Sequence, residues 1–199
     1  MREPTIREHC PRDGTDKAVA HVSFASVGGL GLLTVVLRYS RATWARWMHF
    51  NAPTSTFGRA LIEAAWFFGG APRRWVVEEP DCRVLHWDGR SEHFADFLQA
   101  VAQHMGSSLS LWHGRYRGPA TAAGERLIGL MPRLWLAGLP DGETVLAHAL
   151  DEISKRPHSR GPHLSIAQML AEERSYLLSL PASWSALDVW LDAGEPGLL

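Results

Sequence analysis

The chain is poor in cysteine. Its 199 residues hold only Cys10 and Cys82, far apart and in no C-x-x-C pair. That excludes a disulfide scaffold and a cysteine-based zinc site, and it fits a reducing compartment. Lysine is almost missing: of 20 basic residues only Lys17 and Lys155 are lysine, the other 18 being arginine. Arginine favours bidentate phosphate contacts and aromatic stacking, and an arginine-biased genome produces the same count. Neither sign of charge dominates. A net charge of -1 and a pI of about 6.8 give no global basic field of the kind that draws in nucleic acid. Long hydrophobic runs are lacking too. The longest, from Val27 to Leu37, is broken by three glycines and stops at Arg38, well short of the about 20 residues a bilayer span requires. The opening residues, MREPTIREHCPRDGTDK, lack the apolar stretch of a signal peptide, so the sequence predicts a soluble, cytoplasmic protein with no membrane partner.

What is present is ordinary globular material, 46% hydrophobic and 21% charged. A chain of this length buries about 70% of its unfolded surface and needs no staple. Nine tryptophans, most of them in periodic segments, are assigned to packing. Residues 1–17 read as a flexible segment. Strands are predicted over 18–26, 32–40 and 44–50, with Gly28, Gly29 and Gly31 marking the first turn. Connections this short make the three strands antiparallel neighbours. Ser55 or Thr56 is expected to cap a helix that Gly69-Gly70 ends, and a strand follows over 73–78. Ser91 is the expected cap of a second helix, closed by Gly106 and followed by a strand over 108–112. A helix over 122–136, kinked or ended by Pro132, completes a core of residues 18–138. Helices over 141–155 and 164–178 form a tail within 139–182, with an extension over 183–199. Three antiparallel strands, helix, strand, helix, strand, helix is the α/β order of a ribonuclease-H-like mixed sheet, three strands antiparallel and then two parallel. Fold class alone supplies no function.

Several nominal motifs fail. Gly118 to Gly124 is not followed by Gly-Lys-Ser/Thr, Gly29-Leu30-Gly31 lacks a third glycine, and the ten histidines form no H-E-x-x-H pair. His158 and His163 are placed in a solvated loop rather than a metal site.

Other segments carry more. Tyr39-Ser40-Arg41 follows the second strand, and Phe67-Phe68-Gly69-Gly70-Ala71-Pro72-Arg73 spans a helix-to-strand junction. His86-Trp87-Asp88-Gly89-Arg90, then Phe97 through His104-Met105-Gly106, come next, followed by Gly124-Glu125-Arg126 and Arg156-Pro157-His158. Ala171-Glu172-Glu173-Arg174 to Leu180-Pro181 closes the series. In this order, residues 20–182 resemble the large transposase of the two-gene, IstA-type insertion sequences, a branch of the retroviral-integrase-like DDE superfamily. The family's junction reads F-G-G-x-P-R, and its G-K-V-E-R segment is contracted here, without the lysine. The resemblance implies DNA integration and transposition by a polynucleotidyl transferase, in which Asp, Asp and Glu hold two Mg²⁺ or Mn²⁺ ions that activate the attacking oxygen and steady the leaving one.

The carry-over is incomplete. Where the family reads V-D-F-G-E, this chain has Val22-Ser23-Phe24-Ala25-Ser26, so Ser23 stands at the first Asp. Where the family has Tyr-Asp-Asn, Val77-Glu78-Glu79 stands, and Glu78 takes the second position. Glu125 matches the third. A neutral hydroxyl at Ser23 is a poor Mg²⁺ ligand, and the longer Glu78 shifts its carboxylate by about a bond length. The resemblance thus predicts a catalytically impaired core, a pseudoenzyme, with Glu78 and Glu125 as weak metal ligands. No histidine is placed beside Ser23 to activate it. Set against the family, residues 18–138 are expected to be a core without its helix-turn-helix region. Arg73, Arg74, Arg83, Arg115, Arg117, Arg126 and Arg133 are the candidate DNA-facing residues, expected around the site and giving weak, non-specific backbone binding. Two alternatives are an active nuclease or strand-transfer enzyme using Glu78, Glu125 and one of Glu79, Asp81 or Asp88, and a non-enzymatic decoy subunit. The decoy would bind an AAA+ ATPase helper or an intact transposase, and homo-oligomers fit either case.

Overall fold

The structure, a computed structural model, describes residues 17–27, 30–49, 52–78, 85–87, 92–112, 117–136, 138–139, 141–158 and 161–184. β1 (Val19–Val27), β2 (Leu30–Leu37) and β3 (Thr43–His49) form an antiparallel meander, each strand rich in the β-branched and aromatic residues that fit a pleated surface. β4 (Arg74–Val77) pairs parallel to β1, and β7 (Ser108–Leu111) pairs parallel to β4. The result is a five-stranded mixed sheet of order β3-β2-β1-β4-β7.

Alternation along β1 fixes which layer lies where. Phe24 packs on Phe57 of α1 (Thr54–Phe68), ring centroids 5.5 Å apart, while its neighbour Ser23 reaches Thr121 of α3 (Pro119–Leu136). Successive side chains point to opposite faces, so α1 and α3 cover opposite sides of the sheet. α2 (Asp96–His104) packs on α1, and α4 (Gly142–Ser154) packs on α3 and β3. The main apolar cluster takes in both faces of the sheet, with Trp75 and Phe68 on the α1 side and Leu127, Val145 and Ala149 of α3 and α4 on the other; Trp75 and Phe68 are fully buried, each contributing about 2–3 kcal/mol. Among the described residues no helix is long and apolar enough to cross a membrane.

Local structure departs from the sequence expectations in several places. Neither Ser55 nor Thr56 caps α1. Pro53 is its N-cap in extended conformation, and both hydroxyl residues lie in the first turn. Gly69 does end α1, in the left-handed conformation (φ 84°) that only glycine adopts without penalty. A hairpin of β5 (Leu85–Trp87) and β6 (Glu92–Phe94) precedes α2, so that helix starts at Asp96, with Ala95 rather than Ser91 as its N-cap; Ser91 lies outside the described residues. α3 begins three residues early, at a proline suited to a first turn, and runs past Pro132 to Leu136. The expected helix over 164–178 is broken up. β8 (Pro157–His158) and β9 (Gly161–Ser165) form a hairpin, α5 spans Ile166–Glu173 behind a Ser165/Gln168 capping box, and one 3₁₀ turn covers Arg174–Tyr176. The hairpin removes His158 from solvent: it is buried, and its Nε2 donates to the Tyr39 carbonyl at 3.0 Å.

The segment after β9 latches onto the end of the sheet where β1 and β4 begin. Glu173, 0% exposed, accepts from the backbone N–H of Ala18 (3.2 Å) and Ser40 (2.9 Å). Burial pushes its carboxyl above the ordinary value, against the pull of those donors. Glu172 accepts from Lys17 and the Tyr39 hydroxyl, each at 2.8 Å, and Arg174 Nε donates to the Phe68 carbonyl at 3.0 Å. Ala71 and Leu178 exchange two backbone hydrogen bonds.

Glu173→Ala should lower the unfolding free energy by about 2–4 kcal/mol, because it strands two buried N–H groups. Glu172→Ala, which removes exposed pairs, should change stability little. Urea unfolding of both variants makes the comparison, and equal losses would show that the latch does not depend on the buried carboxylate.

Candidate active site

Glu78 is the residue immediately after β4, and its N–H donates to the Val22 carbonyl at 2.7 Å, carrying the parallel pairing one step past the strand. This sets Glu78 beside Ser23 on the sheet face that α3 covers. The carboxylate is 1% exposed and fully engaged. Oε1 accepts from His21 Nδ1 at 2.7 Å and Ala120 N at 3.2 Å, and Oε2 accepts from Thr121 N at 2.8 Å and Thr121 Oγ1 at 2.9 Å. Burial pushes the carboxyl upward, but these four donors outweigh it and hold Glu78 below its ordinary value.

The reason for this arrangement lies in how α3 starts. Gly118 offers its carbonyl to Ala122 N but has no side chain with which to cap the helix. Glu78 supplies that cap from the neighbouring strand, and its charge suits the positive end of the helix dipole. A Cβ on Gly118 would fall 1.9–2.3 Å from the Glu78 carboxyl atoms, so the approach is open only to glycine.

Ser23, 4% exposed, places Oγ 3.0 Å from Thr121 Oγ1. Thr121 spends its proton on Glu78, so Ser23 donates to Thr121. The network runs Ser23 to Thr121 to Glu78, with His21 entering from the other side. His21 gives Nδ1–H to Glu78, lies edge-on to Trp112 at 5.3 Å, and keeps a buried Nε2 with no partner among the described residues.

Glu125 sits one turn beyond Thr121 on α3 but turns outward. Its side chain is half exposed and pairs with Arg117 Nη1 at 2.7–2.8 Å. The structure thus joins Ser23 and Glu78 through Thr121 and leaves Glu125 on the same helix in solvent. Among the described residues no group of three or more His, Cys, Asp or Glu could hold a metal. Glu79, Asp81 and Asp88 lie outside the described residues.

The candidate arginines disperse rather than gather. Arg117 alone among those described pairs with a triad position. Arg73 and Arg74 are exposed at the opposite end of β4, about 13 Å of strand from Glu78. Arg133 lies about 18 Å along α3 from Thr121, and Arg126 leans back on its own helix with Nε on the Ala122 carbonyl at 3.0 Å. Arg83 and Arg115 are outside the described residues. Two participants escaped the sequence reading. His21 is two residues before Ser23 and therefore on the same face of β1, which corrects the expectation that no histidine stands near that serine; its partner is nonetheless Glu78. Thr121 is four residues before Glu125, the spacing of one helix face.

Glu78→Gln should destabilise the protein by about 3 kcal/mol, because an amide cannot accept from all four donors. The folded carboxyl lies below its unfolded value, so its contribution is full above the ordinary carboxylate value and is lost as pH falls below that and through the lower folded value. The gap between natural protein and Glu78→Gln should therefore narrow as acid is added, with urea midpoints taken from neutral pH to about pH 3. Subtraction at each pH cancels Glu173, which titrates in the opposite sense. A gap constant with pH would show that the charge of Glu78 contributes nothing.

Scanned against models of known protein families the chain matches none, and a search of curated proteins gives no significant match, leaving the residues and their geometry as the basis for function.

Proposed function

We propose that this protein is a ribonuclease-H-like relative of DDE transposases and integrases in which the metal site has become a structural hydrogen-bond network, so that strand transfer is lost. The strand order and the meeting of Ser23 and Glu78 beside the helix that carries Glu125 support the relationship. The observation that carries the loss of activity is Glu78, whose two oxygens already accept four protein donors.

Two Mg²⁺ or Mn²⁺ ions need several anionic oxygens facing one space. Here the first position is a neutral hydroxyl, the second is closed off by its donors, and the third is drawn out by Arg117. This donor set does not fit the metals. An active enzyme built on Glu78, Glu125 and a further acid would have to break the cap of α3 to free Glu78. Residual DNA binding rests on separated arginines, which touch phosphate without reading bases. A second reading, a non-enzymatic subunit docking on a helper ATPase, an intact transposase or another copy of itself, is favoured by Trp66 and Phe67. These adjacent aromatics on α1 are 58% and 50% exposed, of the residue type enriched where proteins meet.

Mn²⁺ should leave the melting temperature of the natural protein unchanged, and supercoiled DNA should stay uncut with Mg²⁺ or Mn²⁺. Ser23→Asp crowds a second carboxylate against Glu78, so it should melt lower without metal and recover as Mn²⁺ is added. A large Mn²⁺ shift in the natural protein, abolished by Glu125→Gln, would identify a working metal site instead. Duplex binding should be weak, indifferent to sequence and steeply reduced by salt in electrophoretic titrations. Tight binding that survives added salt would contradict it.

A further inference from the structure

Where β2 begins and β3 ends, a cavity of about 710 Å³ opens between the sheet, the second half of α3 and the start of α4. Leu30, Trp47, Ile128 and Met131 give it apolar walls. Leu30 is 42% exposed, so the fold leaves apolar surface uncovered at the cavity's edge. The place is separate from the Glu78 network, Met131 lying about 15 Å along α3 from Thr121. Apolar walls, a few polar groups and this volume are the usual make-up of a small-molecule cleft.

The polar groups decide what the ligand must carry. Every charge on the described lining is negative: Asp141 and Glu143 are there, and no Lys, Arg or His. Asp141 is already engaged. It caps α4, accepting from Thr144 N at 2.8 Å and Thr144 Oγ1 at 3.0 Å, and these donors hold its carboxyl below the ordinary value. That cap also occupies the helix end at which an anion would otherwise sit. Glu143, exposed in the first turn, has no side-chain partner among the described residues.

Pro132 adds an independent observation. It stands inside α3 and has no N–H, so the carbonyl of Ile128, four residues back, lacks its helical donor. Both residues border the cavity. Trp47 offers no donor either, because its Nε1 is spent on the Gly142 carbonyl at 3.1 Å. That bond ties the indole of β3 to α4, and an indole is the ring that best attracts a cation. A free carboxylate, a carbonyl short of a donor and an aromatic ring thus border one apolar space, with no basic side chain opposed to them among the described lining.

We propose that this cavity binds a small organic amine, a compact apolar body carrying one primary ammonium. The body packs on Leu30, Ile128 and Met131, and the three ammonium N–H groups are directed to Glu143 and the Ile128 carbonyl. Ser23, Glu78 and Glu125 take no part, so the site stands apart from the reading of the triad.

Calorimetric titration with naphthylmethylamine, naphthylmethanol and naphthoate, which share one ring system and differ in charge, tests the proposal. The amine should bind tightest, about fivefold or more above the alcohol, with the carboxylate weakest. Glu143→Gln, an exposed change that leaves Asp141 as the cap of α4, should bring the amine down to the affinity of the alcohol and leave the alcohol unchanged. Leu30→Ser, also at an exposed position, should weaken amine and alcohol by a similar factor. The proposal is overturned if no probe binds, if amine and alcohol bind equally to the natural protein, if Glu143→Gln keeps the preference for the amine, or if Leu30→Ser changes neither affinity.

Discussion

A buried negative charge has to be met by donors, and in this protein one such charge joins three elements. Glu78 accepts one hydrogen bond from His21 of β1 and three from the start of α3, while its own backbone hangs from β1. The helix depends on it because Gly118 cannot cap, and Gly118 is small because the carboxylate lies where a Cβ would be. Each constraint enforces the next. Partial loss of such a network is costly, since a buried donor without an acceptor forfeits its whole hydration.

The opposite end of the sheet is held by different chemistry and by other parts of the sequence. Tyr39-Ser40, Phe68 to Ala71 and Glu172 to Leu178 meet there through Glu173, Arg174 and the Ala71–Leu178 bridge. These are among the segments that led the sequence analysis to expect a resemblance to transposases. Their contacts are with one another rather than with Ser23, Glu78 or Glu125, so what these segments specify is architecture before chemistry.

The sheet was legible because apolar alternation and short connections leave few pairings open; 18–26, 32–40, 44–50, 73–78 and 108–112 each fall on a strand to within one or two residues at nearly every boundary. The hairpins at Leu85–Phe94 and Pro157–Ser165 were not, since their strands are too short to show a period. Helix starts failed where a side chain was expected to cap and the fold used something else, Pro53 for α1 and Ala95 for α2, and the start of α3 was missed because its cap comes from distant Glu78. His21 could have been found from strand alternation.

The latch also bears on how the chain is made. Ala18 and Glu173 touch across 155 positions, so β1 leaves the ribosome long before the carboxylate that its first residues need. At about 5–20 residues per second that interval is roughly 10–30 s. Throughout it the Ala18 and Ser40 amides face water, and the seat for α5 stands open. A nascent chain of this protein is thus a sheet without its clasp, a state in which holdase chaperones and proteases have their best opportunity.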